Sequence, residues 1–135
     1  MIFEFNGSVD PTWIDYNGHM NDATYSLFVT QANEKFIDQL GFGRNYLDTT
    51  QCTLYTVEMH IKYLSEVKLE NKLLAKIKIE ALTSKSIKMK TLLYIDGHKL
   101  AAECLITYLH YDQTSKKVVD FSAAQSEKIK EYLSS

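Results

Sequence analysis

Residues 22–41 read Asp22-Ala23-Thr24-Tyr25-Ser26-Leu27-Phe28-Val29-Thr30-Gln31-Ala32-Asn33-Glu34-Lys35-Phe36-Ile37-Asp38-Gln39-Leu40-Gly41. Tyr25, Phe28, Ala32, Phe36 and Leu40 recur at spacings of three or four, with Val29 and Ile37 beside them. That recurrence makes one face of a helix apolar. Asn21 or Asp22 is suited to cap its start, where an acid also complements the helix dipole. Gly41 stands where a helix ends in a left-handed stop. A helix over 22–40 is roughly 28 Å long at 1.5 Å per residue. It is the longest run of one periodicity in the chain, so the core is expected to form around it.

Downstream of Gly43 the period changes from 3.6 to 2. In 52–64, Val57, Met59, Ile61 and Tyr63 alternate with Glu58, His60 and Lys62. In 72–82, Leu73, Ala75, Ile77, Ile79 and Ala81 alternate with Lys76, Lys78 and Glu80. In 86–95, Ile87, Met89, Thr91, Leu93 and Ile95 alternate with Ser86, Lys88 and Lys90. Asp96-Gly97 is a strong hairpin signal leading into another long strand over 98–111. Long strands joined by short turns predict an antiparallel sheet with one wet face. A second helix is expected over 122–133, where Ser122 with Gln125 has the spacing of a capping box.

Upstream, residues 2–9 suggest a short strand, and residues 10–21 have no clean period. The predicted order is strand, long helix, four strands, short helix. That is an α+β plan, an antiparallel sheet of about five strands wrapped around one long helix. The 135 residues carry one proline and no linker or repeat, so one domain over 1–135 is expected. Hydrophobic residues at 45% and charged residues at 24% exclude a disordered chain. Lys+Arg of 15 against Asp+Glu of 17 gives a net charge of -2, which is no footprint for nucleic acid. No apolar run approaches the roughly 20 residues of a membrane span, and the N-terminus does not read as a secretory signal. Cys52 and Cys104 lie in apolar, strand-like runs and read as small hydrophobes rather than a disulfide or metal pair. A cytoplasmic protein is expected. His98 and His110 read as surface residues.

The chemistry-bearing stretch is Asp15-Tyr16-Asn17-Gly18-His19-Met20-Asn21-Asp22-Ala23-Thr24-Tyr25. A carboxylate, an imidazole and an amide fall within seven residues, just before a helix N-terminus. That terminus offers unpaired N–H groups and partial positive charge, which suit a developing oxyanion. A neighbouring carboxylate can attack a carbonyl or take a proton from a water that does. The same residue types are also common in any loop before a helix.

The pattern Asp15-x-x-Gly18-His19-x-Asn21-x-x-x-Tyr25, followed by a long amphipathic helix and alternating strands, resembles the hotdog-fold acyl-CoA thioesterases. It is most similar to the branch related to 4-hydroxybenzoyl-CoA thioesterase. The resemblance runs from Val9 to about Asp112. Trp13-Ile14-Asp15-Tyr16-Asn17-Gly18-His19-Met20-Asn21 and Val57-Glu58-x-His60-Ile61-x-Tyr63-Leu64 resemble betainyl-CoA thioesterases in particular. The resemblance implies hydrolysis of an acyl-CoA thioester, with Asp15 as nucleophile or general base. It implies a backbone N–H at the helix start as oxyanion donor: by spacing that of Asp22, with Asn21 and Ala23 as neighbours. An acidic side chain at position 22 opposes the oxyanion unless it turns away as a cap, which is expected. His19 either polarises the thioester or fixes the loop, and Asn21 caps the helix, contacts substrate, or both.

Glu58 and His60, two apart on one strand, share a face. They are either solvated or contribute to a site completed by a second subunit. A betaine acyl group carries a quaternary ammonium, which aromatic faces hold. Trp13, Tyr16, Tyr25 and Phe28 are the rings expected to take part in such a cage, with Glu58 as counter-charge. Lys62, Lys85, Lys88 and Lys90 are candidates for the CoA phosphates. No phosphate loop and no metal-ligand spacing are present, so no cofactor or metal is expected. The resemblance also implies a homodimer or homotetramer. The alternatives are a general short- or medium-chain thioesterase, a hydratase using His19 and Asp15, or a non-catalytic acyl-CoA-binding protein.

Overall fold

The apolar face of Asp22–Leu40 (α1) buries Tyr25, Phe28, Val29, Ala32, Phe36 and Leu40. The computed structural model describes residues 1–133; Ser134 and Ser135 lie outside the described residues. Helix α1 begins at Asp22 and ends on Gly41, whose φ of 91° is the left-handed stop expected of it. The strands that cover it are β1 (Phe3–Ser8), β2 (Cys52–Tyr63), β3 (Lys72–Leu82), β4 (Ser86–Ile95) and β5 (Lys99–Asp112). All pair antiparallel, in the spatial order β1-β3-β4-β5-β2. This is the expected hotdog arrangement. Asp96 and Gly97 both adopt positive φ, 54° and 78°, the handedness that matches strand twist in a tight hairpin.

Three elements have no counterpart in the periodicity. Helix α2 (Arg44–Thr50) buries no residue, so it leaves no apolar pattern to read. Strand β6 (Lys117–Val118) is two residues long and pairs only with β5. A single 3-10 turn spans Pro11–Trp13, capped by Asp10. The second helix, α3, is shorter than expected at Ala123–Lys130, but Ser122 and Gln125 do form the reciprocal capping box.

Two expectations about faces are corrected. Glu80 is an extra residue in β3, because the pairing shifts from Ile79 with Met89 to Ala81 with Lys88. The bulge reverses the alternation, so Ala81 is exposed rather than buried. His110 is not a surface residue but is 2% exposed. Its ring stacks on Phe121 at 4.6 Å, and Phe42 meets it edge-on at 5.7 Å. Nδ1 lies 3.1 Å from the Val119 carbonyl, which only accepts, so Nδ1 carries the proton. Nε2 then accepts from the Tyr46 hydroxyl at 2.7 Å, and Tyr46 accepts from Gln125 at 3.0 Å. This chain ties α2, β5 and α3 together.

A second buried polar group lies in the core. Asn33, 1% exposed, donates to the Tyr108 hydroxyl at 2.9 Å and accepts from the Thr91 hydroxyl at 2.7 Å. It links α1 to β4 and β5. Burial pushes the Tyr108 hydroxyl up to about 12, so it stays protonated.

Asn33→Ala leaves two buried hydroxyls without their partner and opens a void. The expected cost is about 2–4 kcal/mol in urea unfolding, against about 1 kcal/mol for Tyr108→Phe. Burial holds His110 below its usual 6.5. A depressed value means the native state binds this proton less readily than the unfolded chain does. Its contribution is therefore complete above about pH 6.5 and is lost as the pH falls below that. Unfolding measured from pH 7.5 to 5 should show this decline, and His110→Gln should flatten it.

Candidate active site

The loop before α1 folds back on itself. Asp15 N–H donates to the His19 carbonyl at 3.0 Å, and Gly18 N–H to the Asp15 carbonyl at 3.0 Å. Gly18 sits at φ 83°, which its lack of a Cβ permits. Two further bonds seat the loop: Asn21 N–H to the Trp13 carbonyl at 2.9 Å, and Met20 N–H to the buried Val67 carbonyl at 2.7 Å. The second brings the loop against the connection between β2 and β3, 47 residues later in the chain.

Asp15 is half-buried. Its Oδ1 accepts the Asn17 N–H at 2.8 Å. Among the described residues Oδ2 has no hydrogen-bond donor, so one carboxylate oxygen is available to substrate or water.

The helix start resolves which amide is free. The Asn21 amide is committed to Trp13, and the Ala23 amide donates to the Asp22 carboxylate at 2.9 Å. The Thr24 amide donates to the Asn21 carbonyl at 3.1 Å. The Asp22 N–H alone of these four donates to no group among the described residues. The Asp22 side chain turns back onto its own helix, as expected. Of the two candidate caps, Asn21 and Asp22, it is Asp22 that bonds a helix-start amide. The Asn21 side chain makes no cap bond, and its Oδ1 is buried without a partner.

His19 does not engage the Asp15 carboxylate. Its Nε2 lies 3.1 Å from Glu66 Oε2. The Tyr25 hydroxyl donates to the Ser65 carbonyl at 2.8 Å, and its ring meets that of Tyr63 edge to face at 5.1 Å. The Tyr63 hydroxyl lies 3.3 Å from the Asp22 carbonyl at the helix start. Burial, with the Glu66 charge adding to it, holds the Tyr25 hydroxyl above the usual phenol value. Tyr63 is raised as well, by burial and then by the Asp22 carboxylate. Tyr25, Tyr63, Leu64, Ser65 and Glu66 line a recess of about 280 Å³. A groove of about 570 Å³ shares Leu64, Ser65 and Glu66 with it and is also lined by Lys68, Lys99, Glu70 and Asp96.

The expected aromatic cage is not assembled as drawn. Phe28 is 2% exposed and packs on Phe5 at 5.6 Å, so it belongs to the core. Tyr16 projects into solvent at the turn and is 97% exposed. Trp13 is half-buried against the core. Glu58 and His60 pair in register with Thr107 and Leu105, the outward-facing residues of β5, and point away from α1. Lys62, Lys88 and Lys90 share that outer face, where Lys90 pairs with Glu103 at 3.6 Å. Glu66 lies outside every quoted motif, and Tyr63 stood in the stretch Val57–Leu64 without a role of its own. The available signal was the phase of β2, which puts Tyr63 on the same face as the half-buried Ile61 and hence on the helix side.

Fold and loop together define a hotdog domain with an acid and a free amide at the start of its central helix. The chain belongs to the thioesterase-like superfamily, whose model matches residues 9–129. A betainyl-CoA thioesterase of Pseudomonas aeruginosa is 34% identical over 68 residues, which is 50% of this chain and 43% of that protein. An L-carnitine dehydrogenase/betainyl-CoA thioesterase of Rhizobium meliloti is 30% identical over 125 residues, 90% of this chain and 25% of that protein. The chain thus spans less than half the length of these curated relatives. A Staphylococcus aureus protein solved in complex with CoA superposes with a TM-score of 0.93 at 24% identity, over 98% of this chain and 84% of that one. No helix among the described residues is long and apolar enough to cross a membrane.

Proposed function

We propose that the chain hydrolyses an acyl-CoA thioester, with betainyl-CoA as its substrate. The observation that carries this reading is the free N–H of Asp22 at the helix start, seven residues after Asp15, whose carboxylate keeps one oxygen unengaged among the described residues. Asp15 takes a proton from water, and the water oxygen attacks the thioester carbonyl. The negative charge that develops on the carbonyl oxygen is held by the Asp22 N–H and the helix dipole. Collapse breaks the C–S bond and releases the acid and the CoA thiolate, which recovers the proton. In the nucleophilic variant, Asp15 attacks directly and water then cleaves the mixed anhydride. His19, held by Glu66, acts as a loop-positioning residue.

The resemblance to betainyl-CoA thioesterases supports the acyl group, and through it a place in carnitine breakdown. The Cys52 and Cys104 thiols, both free, fit a cytoplasmic setting.

We also propose a homodimer. Strand β2 ends the sheet with one side unpaired, and Tyr55, Val57 and Met59 on it are 39–54% exposed. An open, apolar edge is a template for a second chain. Two β2 strands from two copies would close it. Met59→Lys is expected to shift the dimer to monomer in analytical ultracentrifugation; a monomeric wild type would refute the dimer.

The catalytic reading is tested by following thiol release from a panel of CoA esters. Asp15→Asn should lower kcat by roughly 10²–10⁴-fold with the fold unchanged. Asp22→Pro deletes the proposed donor at the first helical position, where proline is well tolerated. Asn21, at φ -71° and ψ 158°, already has the conformation that precedes proline. The expected loss is roughly 10²–10³-fold, with a smaller loss for Asp22→Ala, which keeps the amide; both variants remove the Asp22 cap, so both should show the same small drop in Tm. Ligand binding without turnover in the wild type would leave only an acyl-CoA-binding protein.

A further inference from the structure

Resting on that reading of the substrate, we infer that the recess formed by Tyr25, Tyr63 and Glu66 is the subsite for a quaternary ammonium on the acyl group. In betaine the charged nitrogen is one methylene from the carbonyl carbon. The two atoms are therefore roughly 2.5 Å apart, the same N–C–C span as in a peptide backbone. Whatever recognises the cation must stand beside the oxyanion donor.

Tyr63 meets that condition. Its hydroxyl reaches the main chain of Asp22, the residue whose N–H is free. Contact with Tyr25, itself anchored on Ser65, sets the orientation of its ring. Tyr63 is nonetheless 49% exposed, so the ring is presented rather than buried. Aromatic faces attract a cation that cannot donate hydrogen bonds, which is what a trimethylammonium is. Glu66 supplies a carboxylate on the same recess, with its Oε2 on His19 and its Oε1 unengaged among the described residues. Leu64 gives the N-methyl groups an apolar contact. Of the four rings and the glutamate expected in a cage, only Tyr25 lines this recess. Phe28 is inside the core, Tyr16 is in solvent, and Glu58 faces away from α1.

The test compares betainyl-CoA with 3,3-dimethylbutanoyl-CoA, in which carbon replaces the charged nitrogen at equal shape. The readout is the ratio of kcat/KM for the two esters, so that damage to the shared machinery cancels. Wild type should favour the cationic ester. Glu66→Gln and Tyr63→Leu should each reduce the ratio roughly tenfold, and Tyr63→Phe, which keeps the ring, should reduce it less. A wild type that prefers the neutral ester, or cleaves neither, would overturn the substrate reading and the subsite together. A wild type that favours the cation while both variants keep its ratio would overturn the subsite alone.

Discussion

Asn33 holds the central helix to the sheet in one position. A buried amide with two designated partners has one satisfied arrangement, and any rotation or slide of α1 breaks both bonds at once. Thr91 on β4 and Tyr108 on β5 are those partners. Apolar contacts alone tolerate such slippage more readily, because dispersion is non-directional. Eleven residues separate Asn33 from Asp22, roughly 16 Å at 1.5 Å per residue. A rigid helix carries the constraint over that distance. The amide proposed to stabilise the oxyanion is thus positioned from the middle of the core.

The loop is positioned from the other side. Met20 and Val67 are both buried and joined by a main-chain bond, so the loop before α1 and the connection after β2 move together. That coupling puts His19 beside Glu66 and Tyr25 beside Tyr63 without any of these pairs being near in sequence. Side chains exposed at a site would otherwise have no packing to hold them. Here the backbone provides the rigidity, and the functional groups need only project from it.

Much of the fold was legible because burial writes a period into the chain. Helix α1, its Gly41 stop, β4 and the Asp96-Gly97 turn all follow from repeats of 3.6 or 2 and from one turn dipeptide. What escaped has little buried surface or a broken period. Helix α2 buries nothing, β6 has two residues, and the Glu80 bulge flips the phase within a strand. His110 was misread because an isolated histidine in a strand gives no hint of the aromatic box that Phe42, Tyr46 and Phe121 build around it. The site divided in the same way. Asp15 and Asp22 lie within one short stretch and could be read together. Tyr63 and Glu66 reach them only through the pairing of β2 and the turn beyond it, so spacing along the chain is silent about them.

The acids around the helix start give the proposed reaction a direction. Asp15 and Asp22 stand on the loop and at the helix start, and Glu66 meets that loop through His19, so on the proposed reading the thioester would become a carboxylate among acids. Before cleavage a betainyl group brings a positive charge to these acids, and the attraction favours binding. After cleavage the same group is a zwitterion, and its new carboxylate lies against Asp15. Like charges at such separations repel appreciably where solvent is partly excluded. The electrostatics that recruit the substrate therefore also weaken the hold on the product. An acyl group without the cation would gain nothing on entry and meet the same repulsion on leaving. On the proposed reading, the charge of the acyl group, more than its bulk, would separate one substrate from another.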